Sequence, residues 1–373
     1  MKRTIRACCR VLLLAASVSA LSAGIASAQD NLSDLNNQIL DNPQDLSLSL
    51  RYAQAAEAAG KPRLALAAYE RILINDPGNE EARRGYERVR RVLEPGYTVT
   101  RVELGVRSDS DPLNLRNGPD ATTYFATATL VDERTLGGSR WRTILNADIE
   151  NTPDIDILNY GYLGAQTGPI LYLGPHTALL PAVGGAISEL NGDQYFSEAN
   201  VGVTLEGRGD GFSYWWRTRV GWRDYGQGFT AQDGTYAEMV AGFAKPHLFW
   251  DRDALILTPF ARWSNIDGSV FDFFTFSEVS PGRFFEYGVD ANYNYQLTDH
   301  VLLTAGAMAR ERQFHNASRN DVYFAPSASV TFQNILPCTC DLKARYQHRD
   351  NSSDDAFATY DADQWSLSLI ARF

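Results

Sequence analysis

The chain runs to 373 residues, and its 45 acidic side chains outnumber its 34 Lys and Arg, giving a net charge of −11. An acidic balance argues against nucleic acid as a partner, since a polyanion is met by a basic surface. Mean hydropathy is low, −0.28, and no long apolar run follows residue 25, which excludes helical membrane spans but not a barrel, whose alternating strands average to near zero.

Lys2, Arg3 and Arg6 precede an apolar run from Val11 to Ile25, which ends in Ala26-Ser27-Ala28. That order predicts a secretory signal over 1–28, cut before Gln29. The run is short, rich in Ser and Ala and lacks a stop-transfer flank, so a membrane anchor suits it poorly; no Cys follows it, as a lipoprotein would need. Cleavage removes four basic residues and no acid, moving the net charge from −11 to −15, and takes Cys8 and Cys9 with it. Cys338 and Cys340 remain, in an expected periplasmic turn and an oxidising compartment. An i, i+2 pair is at the limit of disulfide reach, so the expectation is a strained local bridge or a bond to a partner, against two incidental thiols.

Residues 29–95 have a helical period. Leu46, Leu50, Ala53 and Ala56 lead to Gly60, and Leu64, Ala65, Ala68, Tyr69, Ile72 and Leu73 lead to Asp76-Pro77-Gly78, which predicts two helices with a tight turn. Gly60, Ala65, Tyr69 and Pro77 are spaced as in the tetratricopeptide repeat, and Ile39-Leu40-Asp41-Asn42-Pro43 matches Leu73-Ile74-Asn75-Asp76-Pro77 at that family's 34-residue offset. The segment thus resembles one complete repeat with half of another before it and a third helix, Glu80 to Leu93, after it. A generic hairpin spacing the barrel from the membrane is the plainer alternative. Arg83, Arg84, Arg88, Arg90 and Arg91 make the third helix basic, consistent with solvation or with acidic headgroups.

After Pro95-Gly96 the period changes to two. Fourteen alternating segments are predicted, at about 97–107, 122–132, 140–150, 158–167, 176–188, 195–207, 212–224, 235–247, 254–264, 284–295, 301–313, 321–332, 341–349 and 364–373. The predicted fold is mainly β, a transmembrane antiparallel barrel over 96–373. An even strand count, and short connections after strands 2, 4, 6, 8, 10 and 12 against mostly longer, polar ones after strands 1, 7, 9, 11 and 13, both fit an outer-membrane barrel with its amino terminus in the periplasm. In the last segment Trp365, Leu367, Leu369, Ala371 and Phe373 share one face, and a tilted strand of about ten residues crosses a bilayer. A terminal strand ending in Phe resembles the signal read by the barrel assembly machinery, so Trp365, Leu367, Leu369 and Phe373 are the expected assembly residues and outer-membrane lipids the expected surroundings.

Enzyme chemistry finds no footing. The histidines at 176, 247, 300, 315 and 348 lack metal spacing, and neither a Gly-x-Ser-x-Gly elbow nor a phosphate-cradling loop occurs. His348 with Ser366 or Ser368 meets the needs of a lipid hydrolase by proximity only, and Arg208-Gly209-Asp210 reads as a turn. No cofactor is expected. The positive signal is the interior. By phase, Arg101, Glu103, Arg107, Arg142, Asp148, Glu150, Arg217, Arg219, Arg223, Arg262, Arg310, Arg312, Lys343, Arg345 and Arg349 point inward; a midplane Arg facing lipid costs about 2–4 kcal/mol, so inward placement is forced whatever the function. The arginines among them form a basic wall that would suit an acidic segment or polymer, or else simply fill the barrel as ion pairs.

This layout, and locally Val102-Glu103-Leu104-Gly105-Val106-Arg107-Ser108-Asp109-Ser110-Asp111 at the barrel entry, is similar to the surface lipoprotein assembly modifier family. The resemblance implies an outer-membrane export factor moving a lipoprotein or small secreted protein to the surface, with that protein as cargo; the repeat region here is far shorter than the family's. Exopolysaccharide exporters, which also join such helices to a barrel, and passive porins are the alternatives.

Overall fold

The computed structural model describes residues 32–42, 44–114, 118–174, 176–226, 233–266, 270–272, 277–279, 283–315, 318–336 and 340–373. The expected signal segment lies outside them, as does Cys338. Two compact units emerge: one runs to Gly96 and takes in Arg134–Arg140, and the other comprises Tyr97–Glu133 and Trp141–Phe373.

The first unit is helical: α1 (32–41), α2 (Leu46–Ala58), α3 (Pro62–Asn75) and α4 (Glu80–Leu93). Local chemistry sets their ends. Asp45 caps α2 by accepting from the backbone N–H groups of Ser47 and Leu48 at 2.9 and 3.1 Å, and the Ser47 hydroxyl, donating at 2.7 Å, together with these bonds holds its pKa below the usual range. Gly60, at φ +66°, turns the chain after α2, and Pro62 opens α3, where a missing N–H costs nothing. Asn79 caps α4, with Glu80 and Glu81 in the first turn and Arg90 and Arg91 in the last, matching the helix dipole.

Small residues let these helices close together, and one large ring fills the space between them. Ala53, Ala56, Ala65 and Ala82 are fully buried beside Tyr69, Ile72 and Val89. The Tyr69 hydroxyl donates to Glu57 at 3.1 Å, and Arg88 donates twice to the same carboxylate at 2.5 and 2.7 Å. Burial and the Glu57 charge push the Tyr69 phenol up to about 12.

Two outcomes follow for this unit. Gly85 faces Tyr69 so closely that a Cβ would collide with the ring, so Gly85→Ala should cost about 1–3 kcal/mol of helical stability by overpacking. An unchanged melt of the 222 nm circular dichroism would refute that packing. Because the folded phenol holds its proton to about 12 while the unfolded one releases it near 10, the helices should lose up to about 2–3 kcal/mol as pH rises through that window. Tyr69→Phe should remove the pH dependence, and melts at pH 9 and 11.5 measure it.

The second unit is built from fourteen long strands: β1 (Tyr97–Asp109), β2 (Ala121–Leu136), β3 (Ser139–Asn151), β4 (Tyr160–Pro169), β5 (Thr177–Leu190), β6 (Asp193–Gly209), β7 (Phe212–Tyr225), β8 (Gly234–Pro246), β9 (Asp253–Ile266), β10 (Arg283–Thr298), β11 (Val301–Phe314), β12 (Asn320–Leu336), β13 (Cys340–Ser353) and β14 (Tyr360–Arg372). Each pairs antiparallel with its sequence neighbours, and the ring closes where β14 meets β1, in register from Arg101 opposite Arg372 to Asp109 opposite Gln364. Thr100 and Phe373 exchange backbone bonds of 3.0 and 2.9 Å beyond that register. The fold is therefore the closed fourteen-stranded antiparallel barrel that the alternation predicts. Among the described residues no helix is long and apolar enough to cross a membrane.

The pleat sorts side chains as the alternation requires. Leu104, Val183, Ile187, Val201, Val220, Trp222, Tyr287 and Leu367 are exposed on the outer face, while Glu198, Glu238 and Glu286 are buried inside. In β14, Trp365, Leu367 and Phe373 are exposed and Leu369 is half-buried. The connections are less regular than expected. Between β4 and β5 the link is not short: it spans 170–176 and adds Leu171–Tyr172 as a further rung on β5. On the other side, β5 and β6 join through Asn191-Gly192 at φ 53° and 84°, the left-handed pair that a two-residue type I′ hairpin demands.

Candidate functional site: the barrel interior

Neighbouring strands in register place opposite charges side by side inside the barrel. Glu198 on β6 stands opposite Arg223 on β7, Arg219 opposite Glu238 on β8, Glu238 opposite Arg262 on β9, Arg262 opposite Glu286 on β10, and Glu286 opposite Arg312 on β11. The side chains complete a continuous chain of contacts. Arg223 and Arg219 meet Glu198 at 2.9 and 3.5 Å. Arg219, Arg262 and Arg217 meet Glu238 at 3.0, 3.7 and 3.9 Å. Arg312, Arg310 and Arg262 meet Glu286 at 2.6, 3.6 and 3.8 Å. Six guanidinium groups thus share three carboxylates, and with Asp290 also lining the interior space this arc of the wall keeps six arginines against four acids.

Aromatic faces hold the arginines in plane. Arg223 lies 4.7 Å from the Phe196 ring centre and 4.8 Å from that of Tyr236, and the Tyr236 hydroxyl donates to Glu198 at 2.5 Å. Nearby, Phe196, Tyr225, Ile266 and Ala186 pack into a buried apolar cluster. A cavity of about 410 Å³ opens beside Glu238, Arg262, Glu286 and Arg310, with Phe260 and Met308 on its apolar side.

The other arginines of the wall have separate partners. Arg107 reaches past β2 to Glu150 with two bonds of 3.1 and 2.7 Å, Arg142 bridges Glu133 at 2.6 Å and Glu206 at 2.8 Å, and Arg101 pairs with Glu103 on its own strand at 2.6 Å. Arg349 meets Asp109 at 2.5 Å. Arg345 stands opposite Ser329 and Ser366 and makes no ion pair among the described residues. Reading arginines alone overlooks Glu198, Glu238, Glu133 and Glu206. Register is the signal that finds Glu198 and Glu238, each at the inward phase across from an arginine; Glu206 stands opposite Ala178 and Trp215 and meets Arg142 only through the side chain.

His348 and the C-terminal serines do not meet. His348 contacts Asp363 at 3.0 Å, whereas Ser368 donates to Glu103 on the interior face and Ser366 pairs opposite the inward Arg345. Period-2 alternation separates odd from even residues of β14, so the hydrolase pairing is excluded by the pleat. Gly60, Ala65 and Tyr69 lie in the helical unit's turn and core, and Pro77 links α3 to α4. Cys340 is disulfide-bonded; Cys338 is outside the described residues.

No protein-family model matches the chain, and no curated protein matches it. Among solved structures it is similar to the outer-membrane channel DcaP of Acinetobacter baumannii, at 10% identity and a TM-score of 0.46, over 74% of this chain and 97% of that one. It is also similar to a loop L8 deletion mutant of OmpT, an outer-membrane protein of Vibrio cholerae, at 8% identity and 0.43, over 75% and 100%. A third likeness is to OccK2 (OpdF) of Pseudomonas aeruginosa in complex with glucuronate, at 8% identity and 0.38, over 76% and 99%. Identities this low carry neither substrate nor activity to this chain.

Glu286 is 3% exposed and serves three arginines. Glu286→Gln should therefore lower barrel stability by about 1–3 kcal/mol, because it leaves three partly exposed cations without their shared counter-charge. Arg101→Gln, at an exposed pair, should change it by less than about 1 kcal/mol. The urea midpoint of folded, heat-modifiable barrel measures both, and equal midpoints would show that the shared carboxylate is not structural.

Proposed function

We propose that this protein is an outer-membrane conduit whose arginine-lined interior passes anionic cargo, and that residues 29–95 act in the periplasm as the receiving end for an exported polypeptide. The observation that carries this reading is the imbalance along β6–β11, where six arginines share three glutamates and Asp290 is the one further acid lining the cavity among the described residues. Such a wall attracts acidic segments over several ångströms and repels basic ones. Apolar residues over the outer face support insertion into lipid, since a monomer in water rarely exposes so large a patch. Closure supports it too, because a ring leaves no backbone edge to be satisfied by water. The helical unit, with its buried Ala65 and Tyr69, supports a repeat-like adaptor that engages cargo before it enters the barrel. In this reading Phe373 and its strand are presented to the barrel assembly machinery during insertion.

A second reading, a passive anion-selective channel, is favoured by the size of the interior cavity. About 410 Å³ suits a small solute.

Two lesions separate the readings. One deletes 31–93. The other combines Arg217→Gln with Arg262→Gln, half-exposed groups whose glutamate contacts are 3.7 Å or longer; Arg219 and Arg223 are kept because their loss would strand the buried Glu198. Export of a polypeptide predicts that each lesion leaves folded barrel in the membrane but depletes specific proteins from the cell surface. A passive channel predicts an unchanged surface proteome and, in planar bilayers, a fall in anion-over-cation selectivity for the arginine variant only. Loss of surface glycan with surface proteins intact would assign the conduit to polysaccharide.

A further inference from the structure

A second interior cavity, of about 440 Å³, lies at the opposite end of the strands from the β10–β11 turn and takes in the connections that carry Asn114, Arg319 and Ala358. Arg310, Arg312, Arg319 and Arg349 line it, with Asp321 as the only acidic lining residue among the described residues. Three of these arginines are already committed. Arg312 is bonded to Glu286 at 2.8 Å through Nε, Arg319 to Asp321 at 2.9 and 2.7 Å with Asp355 at 3.9 Å, and Arg349 to Asp109 at 2.5 Å and Asn114 at 2.9 Å.

Arg310 is different. Its nearest carboxylate is Glu286 at 3.6 Å, a group already held by Arg312. Its guanidinium lies over the Tyr323 ring at 4.5 Å, and this contact fixes its plane without consuming an N–H. Three buried polar atoms on the cavity's lining residues have no hydrogen-bond partner: Nε of Arg310, Nε of Arg349 and Oδ1 of Asn351. The two Nε–H groups are donors that an oxyanion can meet by accepting from them, whereas Asn351 Oδ1 is an acceptor that takes a hydrogen bond only from a ligand N–H or O–H. Arg310 also lines the 410 Å³ cavity and so borders both spaces.

From this geometry we propose that the cavity is a binding site for a small organic oxyanion, a carboxylate or phosphate borne on a ring, with Arg310 as its principal ligand. A planar guanidinium fork matches either oxyanion in two parallel bonds. Tyr323 and Tyr360 line the space and give it aromatic surface for a ring to pack on. The site rests on the reading of the interior as a path for anions and names where along it an anion pauses.

The test uses the full chain in detergent micelles and isothermal titration calorimetry, with benzoate and phenyl phosphate as probes and benzamide as the neutral isostere. At least one anion should bind about tenfold or more tighter than benzamide, and Arg310→Gln should weaken that anion about 10- to 100-fold, the worth of a charge-assisted bond pair. Arg310→Lys, which keeps the charge but loses the fork, should fall between. Ala358→Glu sets a carboxylate at the cavity wall without touching any ion pair, and should abolish anion binding even if Arg310→Gln fails to fold. Benzamide binding as tightly as the anions, no anion binding at 50 mM (~50 mM being already a weak limit for a two-bond site), or full affinity in Ala358→Glu would each overturn the site. Anion binding that persists while cargo and conductance are unaffected by the interior variants would instead overturn the conduit reading and leave the site standing.

Discussion

Everything in the barrel depends on the backbone bonds between its first and last strands. A strand in hydrocarbon cannot leave its N–H and C=O groups unpaired, because each costs several kcal/mol with no water to satisfy it. Register from Arg101 opposite Arg372 to Asp109 opposite Gln364 closes the ring, and the Thr100–Phe373 exchange carries it one residue further. Closure in turn separates two environments along every strand, and the placement of every charge follows from that separation.

Along β6–β11 the arginines outnumber the carboxylates they meet, and the barrel manages them by sharing. Each of Glu198, Glu238 and Glu286 sits between two or three guanidinium groups. Sharing keeps every cation near an anion, so the desolvation of the buried charges is offset. It also leaves a surplus of positive charge facing the interior space, since one carboxylate cannot cancel three cations. The wall is rigid and attractive to anions for the same reason. Phe196 and Tyr236 under Arg223, and Tyr323 under Arg310, add restraint by stacking instead of by charge, leaving N–H groups available.

The helical unit solves a different problem with different residues. Four alanines with essentially no exposure allow close approach of the helices, and Tyr69 occupies the one volume that alanines cannot fill. The polar end of that ring is anchored by Glu57, itself gripped by Arg88. The helical unit centres its packing on Tyr69, with Tyr52 and Tyr86 against the same cluster, whereas the barrel distributes its stability over ring closure.

Alternation by itself determined the strand number, the face of each residue and the closed antiparallel fold, because a period of two is a local property of the pleat and survives in the sequence without any knowledge of neighbours. Caps and turns were legible for the same reason: Asp76-Pro77-Gly78 and the helix from Glu80 to Leu93 are set by residues adjacent in the chain. Inward placement of Arg217, Arg219 and Arg223 was legible; their partners were not. Glu198 and Glu238 become anchors only once β6 and β8 flank β7 in a particular register, and a shift of one residue would have turned them outward. The added rung at Leu171–Tyr172 lengthens a connection expected to be short, since turn length answers to local pairing and not to which side of the barrel a loop is on. Arg310 shows the divide most clearly. Phase says that it points inward, but that Glu286 is already held by Arg312, and that Arg310 therefore faces a cavity with its Nε unpaired, is decided by β10, β11 and β12 coming together.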